Sequence, residues 1–430
     1  MKWLDDYFGV TAKGSSIQIE VLAGLATFLT MSYIIVVNPT ILSKAGMDFG
    51  SVFVATVIAS AVGTLIMGIW ANWPVGLAPG MGLNAFFTFG IVLGMQYPWK
   101  VAMGAVFVSG VLFLILGLTG LREWVINSIP QSLKLGIICG IGLFLAVIGF
   151  ENAGVVIDHP VTLVGMGDLA SPPVLLFFIA FAVMGVFDNH KLPGGIVVGI
   201  LSVSIIGWVT GITPFEGFAS SPPSIEPTLF ELDISGALTA GLIGVVFTLL
   251  FVDFFDSAGT LTGVAHVANK IDKDGNIEGI GRAVVCDSIA TIVGALLGTS
   301  TATSYIESGA GVKAGGRTGL TAVVIAILFL LCLGFAPLAR SIPSYATGAA
   351  LVFVSTYFIR SIKHMNFDDV SEYAPAMLAT FLMPLTFSIA NGIAMGFIVY
   401  VCIKVFSGRL SETNPAVLLI AAAGLAHFLL

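Results

Sequence analysis

The chain has 430 residues, 57% of them hydrophobic and only 10% charged, with a formal net charge of −7 and a mean hydropathy of +1.04. A soluble domain carries about 25% charged residues, so this chain cannot cover a water-facing surface and much of it must face lipid. Its 17 Lys and Arg are scattered singly, which excludes a nucleic-acid partner, and Cys139, Cys286, Cys332 and Cys402 show no metal-ligand spacing and read as small buried packing residues.

The opening stretch, MKWLDDYFGVTAKGSSIQIE, is amphipathic and lacks the parts of a signal peptide. It predicts a short cytoplasmic helix lying at the membrane surface. Apolar segments follow at 17–38, 52–71, 77–94, 98–120, 133–150, 172–188, 193–210, 235–263, 282–298, 299–316, 317–338, 344–361, 373–389 and 391–406. A spanning helix needs about 20 apolar residues, so these fourteen predict an all-α polytopic membrane protein. A last run, 415–430, is short for a span and reads as re-entrant or half-buried.

Charge gives an independent check. With the N-terminus inside and the segments alternating, Lys2, Lys13, Arg122, Lys134, Lys191, Lys270, Lys273, Arg282, Lys313, Arg317, Arg360, Lys363, Lys404 and Arg409 fall at cytoplasmic ends. Only Lys44, Lys100 and Arg340 fall outside, as the positive-inside rule requires. Loops 151–171 and 211–234, rich in Pro, Ser and acids, are then external, and the polar loop 264–281 is cytoplasmic.

That loop divides two related halves. VIASAVGTLIMG (57–68) resembles CDSIATIVGALLG (286–298), and each precedes an interrupted stretch, 72–87 and 299–316. Seven segments per half make an inverted repeat, and broken segments at matching places point to a transport site.

Carboxylates inside apolar runs are the sharpest chemical signal, because each costs about 2.5–3.5 kcal/mol at the bilayer centre. Asp253, Asp256, Asp287 and Glu307 are such residues. Helical spacing puts Asp253, Asp256 and Thr260 on one face, while Asp287 reads as near a helix end. Asp256 and Glu307, joined by Asp253, are candidates to accept N–H donors from a planar heterocycle and to carry a proton with it. The competing reading pairs these acids with Thr, Ser or backbone at helix ends. In GLAPGMGLNAFF, Pro79, Gly80 and Gly82 break a helix, and Asn84 offers a donor and an acceptor that suit a base edge. Thr27, Thr30, Ser32, Thr303 and Ser304 add hydroxyls that serve a ligand or bond helix to helix.

Three motif matches fail. GVKAGGRT (311–318) has Arg317 in place of the phosphate-loop Lys and no preceding strand. Gly165 to Asp168 lies outside an apolar run, and the five dispersed histidines form no HExxH. No nucleophile–base pair survives, so the chain reads as a carrier and not an enzyme, with no catalytic residue, metal or cofactor.

TFLTMSYIIVVNPTILSKAGMD (27–48), PVGLAPGMGLNAFF (74–87), LLFVDFFDSAGTLTGV (249–264), GTSTATSYIESGAGVKAGGRTG (298–319) and EYAPAMLATFLMPLTFSIANGIAMGFIVY (372–400) resemble the adenine/guanine/hypoxanthine permeases over nearly the whole chain. These are the purine branch of the nucleobase–cation symporter 2 family, also called nucleobase–ascorbate transporters. The resemblance implies the uracil-permease fold. Segments 1–4 (residues 1–130) and 8–11 (235–340) form a core domain, and segments 5–7 (131–234) and 12–14 (341–430) form a gate domain. It implies a short strand in each of segments 3 and 10, at 82–86 and 303–307, presenting the Ala85 and Ile306 backbones to the substrate. It also implies proton-coupled uptake of a purine base across a bacterial-type plasma (inner) membrane, with Asp256 and Glu307 as the substrate acids. Uracil-type relatives carry Glu where Asp256 stands and His near Thr260, so the pocket here is roomier and less basic. Relatives can pair through the gate domain, which makes a homodimer an open question, and other branches of the fold carry anions, which is the alternative reading.

Overall fold

The computed structural model describes residues 2–119, 129–160, 162–268, 270 and 277–429. Arg122 and Lys273, used in the charge count, lie outside the described residues. Ten helices among the described residues are long and apolar enough to cross a membrane, and Met81–Gly94 and Gly195–Val209 are shorter apolar helices. The chain is an all-α polytopic membrane protein built by close helix packing.

Two packed groups of helices make up the molecule. The first begins with α1 (Lys2–Phe8), then α2 (Ile17–Met31), α3 (Ile34–Ser43) and α4 (Phe49–Ile66, wound on through Ala71). Strand β1 (Leu77–Pro79) follows, then α5 (Met81–Ala85, wound on through Gly94) and α6 (Trp99–Thr119). The second group starts with α7 (Gln131–Asn152), a hairpin of β2 (Val156–His159) and β3 (Leu163–Met166), α8 (Pro172–Asn189) and α9 (Gly195–Val209). The short α10 (Ile234–Ala237) returns the chain to the first group. That group is completed by α11 (Ala240–Val267), α12 (Ile280–Leu297), β4 (Ala302–Ser304), α13 (Ser308–Lys313), α14 (Gly319–Leu331) and α15 (Ala336–Arg340). The second is completed by α16 (Ser344–Ile359), α17 (Val370–Leu385), α18 (Ile389–Phe406) and α19 (Pro415–Leu429).

Helix ends follow local chemistry. Ser16, Asp48, Thr318, Asp369 and Ser388 each accept a backbone N–H at the start of α2, α4, α14, α17 and α18. The helices that precede the strands end alike. Asn72 (φ 54°) stops the extension of α4 and Gly298 (φ 92°) stops α12, both left-handed. Gly298 also has no room for a Cβ, which would sit 2.2 Å from Thr228 Cβ.

With no hydrophobic drive between helices in lipid, small residues set the packing. A Cβ on Gly63 of α4 would lie 2.6 Å from Ala290 Cβ on α12, so the two halves touch at the segments the sequence matched. In the second group α7 lies on α16 and α17. A Cβ on Gly149 would fall 2.7 Å from Gly348 O, and one on Gly348 would fall 2.6 Å from Gly149 O. At the end of α18 the buried Lys404 Nζ lies 2.9 Å from Glu372 Oε1 and 2.8 Å from Glu412 Oε2. Arg409 and Lys404 together hold the Glu412 carboxyl down at about 2.

Several expectations are corrected here. Residues 82–86 are not a strand: β1 lies at Leu77–Pro79, and Gly82 to Ala85 already coil into α5. The second strand is Ala302–Ser304, and Ile306 sits in the turn after it. Asp287 lies well inside α12 and not near its end. Cys402 is exposed on the outer face of α18 and Cys332 is half-buried, whereas Cys139 and Cys286 are buried. The loop 151–171 holds the β2–β3 hairpin, and 415–429 is a regular helix packed on α18.

Gly149→Ala forces the α7–α16 backbones apart. We expect it to cost about 1–3 kcal/mol, read as a lower thermal midpoint in detergent, with Gly348→Ala giving the same loss.

Candidate functional site

A membrane interior leaves no unpaired backbone group uncompensated, so two broken segments must find partners. Here they find each other. β1 and β4 run antiparallel, with Leu77 opposite Ser304, Ala78 opposite Thr303 and Pro79 opposite Ala302. The pairing extends past both ends: Gly80 N donates to Thr301 O at 2.9 Å, and Tyr305 N to Gly76 O at 3.0 Å. Each strand also hangs from the helix before it by a threonine. Thr64 Oγ1 accepts from Leu77 N at 2.8 Å and donates to Leu77 O at 3.1 Å. Thr291 Oγ1 donates to Ala302 O at 2.8 Å. Tyr305 closes the crossing by donating its hydroxyl to Pro79 O at 2.6 Å.

Beside this crossing lies a small cavity of about 40 Å³. The first group of helices supplies Asp256 and Thr260 from α11, Gly80 and Met81 from the β1–α5 turn, Thr303 to Glu307 from β4 and its turn, and Tyr33 from the α2–α3 break. The second supplies Val354, Tyr357 and Phe358 from α16. Asp256 and Glu307 therefore share one pocket, and no Lys, Arg or His among the described residues lines it.

The two carboxylates are held differently. Glu307 stands at the N-cap of α13, and its Oε1 accepts the Tyr33 hydroxyl at 2.8 Å. Asp256 sits one helical turn before Thr260 and carries no side-chain hydrogen bond among the described residues. Ile306, in the turn, leaves 57% of its surface open and lines the cavity.

Behind the wall lies a second, buried layer. Asp287 accepts from Ser304 at 2.8 Å and from Ser257, and Ser257 Oγ lies 2.9 Å from Thr303 Oγ1. Asp253, on the same face of α11 by spacing, turns instead toward Thr291, with Oδ2 3.1 Å from that hydroxyl. The hydroxyls that bond to these acids come from three elements: Ser304 from β4, Ser257 from α11 and Thr291 from α12.

Not every expected residue reaches the cavity. Asn84 is buried in α5 and accepts from Ser300, and Ala85 is buried beside it, both off the lining. Thr27 is buried where α2 meets α13: a Cβ on Gly311 would sit 2.2 Å from its Oγ1. Close helix contact accounts for its position. Conversely, sequence reasoning missed Tyr33, Met81, Tyr305, Val354, Tyr357 and Phe358. Only Met81 and Tyr305 had a readable signal, each lying in an interrupted stretch, 72–87 or 299–316.

Thr64→Val keeps the shape but strands Leu77 N–H and C=O. We expect a loss of about 1–3 kcal/mol in thermal stability, measured against Thr64→Ser, which keeps the hydroxyl.

With that geometry in place, the comparisons with known proteins carry weight. A model of the permease family matches residues 18–395. The adenine permease AdeP of Escherichia coli K12 is 43% identical over 97% of this chain and 94% of its own. The guanine/hypoxanthine permease PbuO of Bacillus subtilis 168 is 43% identical over 96% and 98%. Among solved structures, the transmembrane domain of the cyanobacterial bicarbonate transporter BicA superposes with a TM-score of 0.64 at 16% identity, covering 88% of this chain and 97% of that one. That likeness shows a shared fold.

Proposed function

The chain belongs to the permease family, and from that premise we propose that it imports purine nucleobases across the plasma membrane by proton symport. The observation that carries the reading is the pairing of Asp256 and Glu307 in one cavity free of cationic side chains. Two carboxylates offer acceptors only. A purine base presents an imidazole N–H on one edge and, on the other, an exocyclic amino group (adenine) or a ring N1–H (hypoxanthine), and two acceptors facing one pocket suit such a plate. The same pair would repel a bicarbonate or sulfate ion, so the anion-carrying alternative has no support from the site. Full-length similarity to adenine permeases on one side and guanine/hypoxanthine permeases on the other supports the purine class without choosing among its members.

In this reading the fourteen apolar stretches are fourteen segments in two inverted sevens, with the N-terminus cytoplasmic. The first group of helices, which holds both strands, is the core domain. The second, which contributes only α16 to the cavity, is the gate. Core and gate rock against each other around the site. The cavity of about 40 Å³ has room for a few waters, whereas sites for small molecules measure about 300–1,000 Å³. Binding therefore requires α16 to draw away from the strand crossing. One proton moving through 100 mV yields about 2.3 kcal/mol, enough to concentrate a neutral base roughly fifty-fold. Membrane lipid surrounds the helices, and a pair of copies joined through the gate is a further part of the proposal.

The test is uptake of radiolabelled hypoxanthine and adenine by cells lacking their own purine permeases. We expect saturable uptake abolished by a protonophore, and its loss in both Glu307→Gln and Asp256→Asn while each variant still reaches the membrane. Uptake of neither base by the correctly inserted wild type would discard the purine reading.

A further inference from the structure

Glu307 is not simply placed at the cavity; besides its own backbone N–H, one side chain among the described residues holds its carboxyl there. Segment 1 breaks between α2 and α3 at Ser32 and Tyr33, and the break swings the Tyr33 ring into the first group, where it is 2% exposed. Its hydroxyl reaches Glu307 Oε1 at 2.8 Å. The same segment touches the Glu307 backbone through Thr30 Oγ1, 3.4 Å from Glu307 O. No other side chain among the described residues donates to the Glu307 carboxylate, and its turn leaves the residue outside regular helix.

A glutamate has three side-chain torsions, and at a turn no helix packing fixes them. A buried side-chain donor on Oε1 restricts that freedom, and no side chain among the described residues donates to Oε2. We infer that Tyr33 is the positioning residue of the substrate site: it fixes the Glu307 carboxylate so that one oxygen is free for an N–H donor of the base. This inference rests on the purine reading. It also gives segment 1 a role in recognition through Tyr33, whereas its Thr27, Thr30 and Ser32 lie off the cavity lining.

Tyr33→Phe tests it, because the ring stays in place and only the hydroxyl leaves. Two readouts are needed on purified protein. The first is calorimetric binding of adenine and hypoxanthine. The second is labelling of Glu307 and Asp256 by dicyclohexylcarbodiimide, mapped by mass spectrometry without any purine present. Losing a hydrogen bond to a charged group should weaken binding of the base by about tenfold. Glu307 should label faster in Tyr33→Phe than in wild type, with Asp256 unchanged. Unaltered affinity overturns the inference, as does weakened binding with equal Glu307 labelling in the two proteins. Parallel changes at Glu307 and Asp256 mean a general disturbance of the pocket and also overturn it. A wild type that binds neither base sinks the purine reading itself, and the inference with it.

Discussion

Everything at the centre of this protein follows from one constraint: a backbone that breaks inside a membrane must hydrogen-bond to something other than lipid. Two segments break into strands, and the antiparallel contact of β1 with β4 is how both are satisfied. The contact is only three residues long in each strand, too short to stand alone, and the molecule reinforces it with hydroxyls. Thr64 and Thr291 play the same part in the two halves, each holding the first residue of its strand. Gly63 meets Ala290 at a distance no larger side chain would permit, so α4 and α12 can bring the strands into register. Asn72 adds to the frame, accepting from Gly319 N at 2.6 Å and donating to Phe8 O at 3.0 Å.

From that crossing the chemistry follows. A strand that ends within the membrane must turn, and the turn after β4 delivers Glu307 to a place no continuous helix could put it. The turn after β1 places Gly80 opposite, where a Cβ would come 2.8 Å from Thr303 Cγ2. Asp256 arrives from α11, and its spacing from Asp253 divides the acids between two tasks. Asp256 faces the cavity, while Asp253 and Asp287 accept hydroxyls from the elements that carry the strand. The hydrogen-bonded reading of membrane acids therefore holds for Asp253 and Asp287, and Asp256 and Glu307 are the two acids that line the cavity.

This division explains what the sequence could and could not reveal. Asp256, Thr260 and Glu307 were legible because charge in an apolar run is costly and helical spacing is fixed. Asp287 was misplaced near a helix end, because sequence does not show that a mid-helix acid faces serines on neighbouring elements, but its pairing with serine is the competing reading and holds. The strand that the resemblance put at 82–86 lies five residues earlier, at Leu77–Pro79. Gly82 is needed elsewhere: a Cβ there would lie 2.5 Å from Ile141 Cγ2 on α7, so the residue serves the approach of the two groups of helices. Asn84 was polar, but its partner is Ser300 and not a ligand. Tyr357 and Phe358 were invisible for the opposite reason. An aromatic side chain in an apolar helix looks the same whether it faces lipid, a neighbouring helix or a cavity.

The distribution of hydrogen bonds also says which wall of the cavity can move. The strand wall is fixed by backbone pairing, two threonines and the Tyr305 hydroxyl, and disturbing it would expose several polar groups at about 1–3 kcal/mol each. The α16 wall touches the cavity with Val354, Tyr357 and Phe358, and the Tyr357 hydroxyl is turned away, donating to Asp188 at 3.1 Å within its own group of helices. Among the described residues no side-chain hydrogen bond joins Val354, Tyr357 or Phe358 to the strands, so sliding that wall would exchange apolar contacts, which lipid-like surroundings scarcely penalise. On the proposed function, a cavity too small for its cargo would therefore open most cheaply between the two groups of helices, with the acids and their hydroxyls carried along unchanged on the strand side.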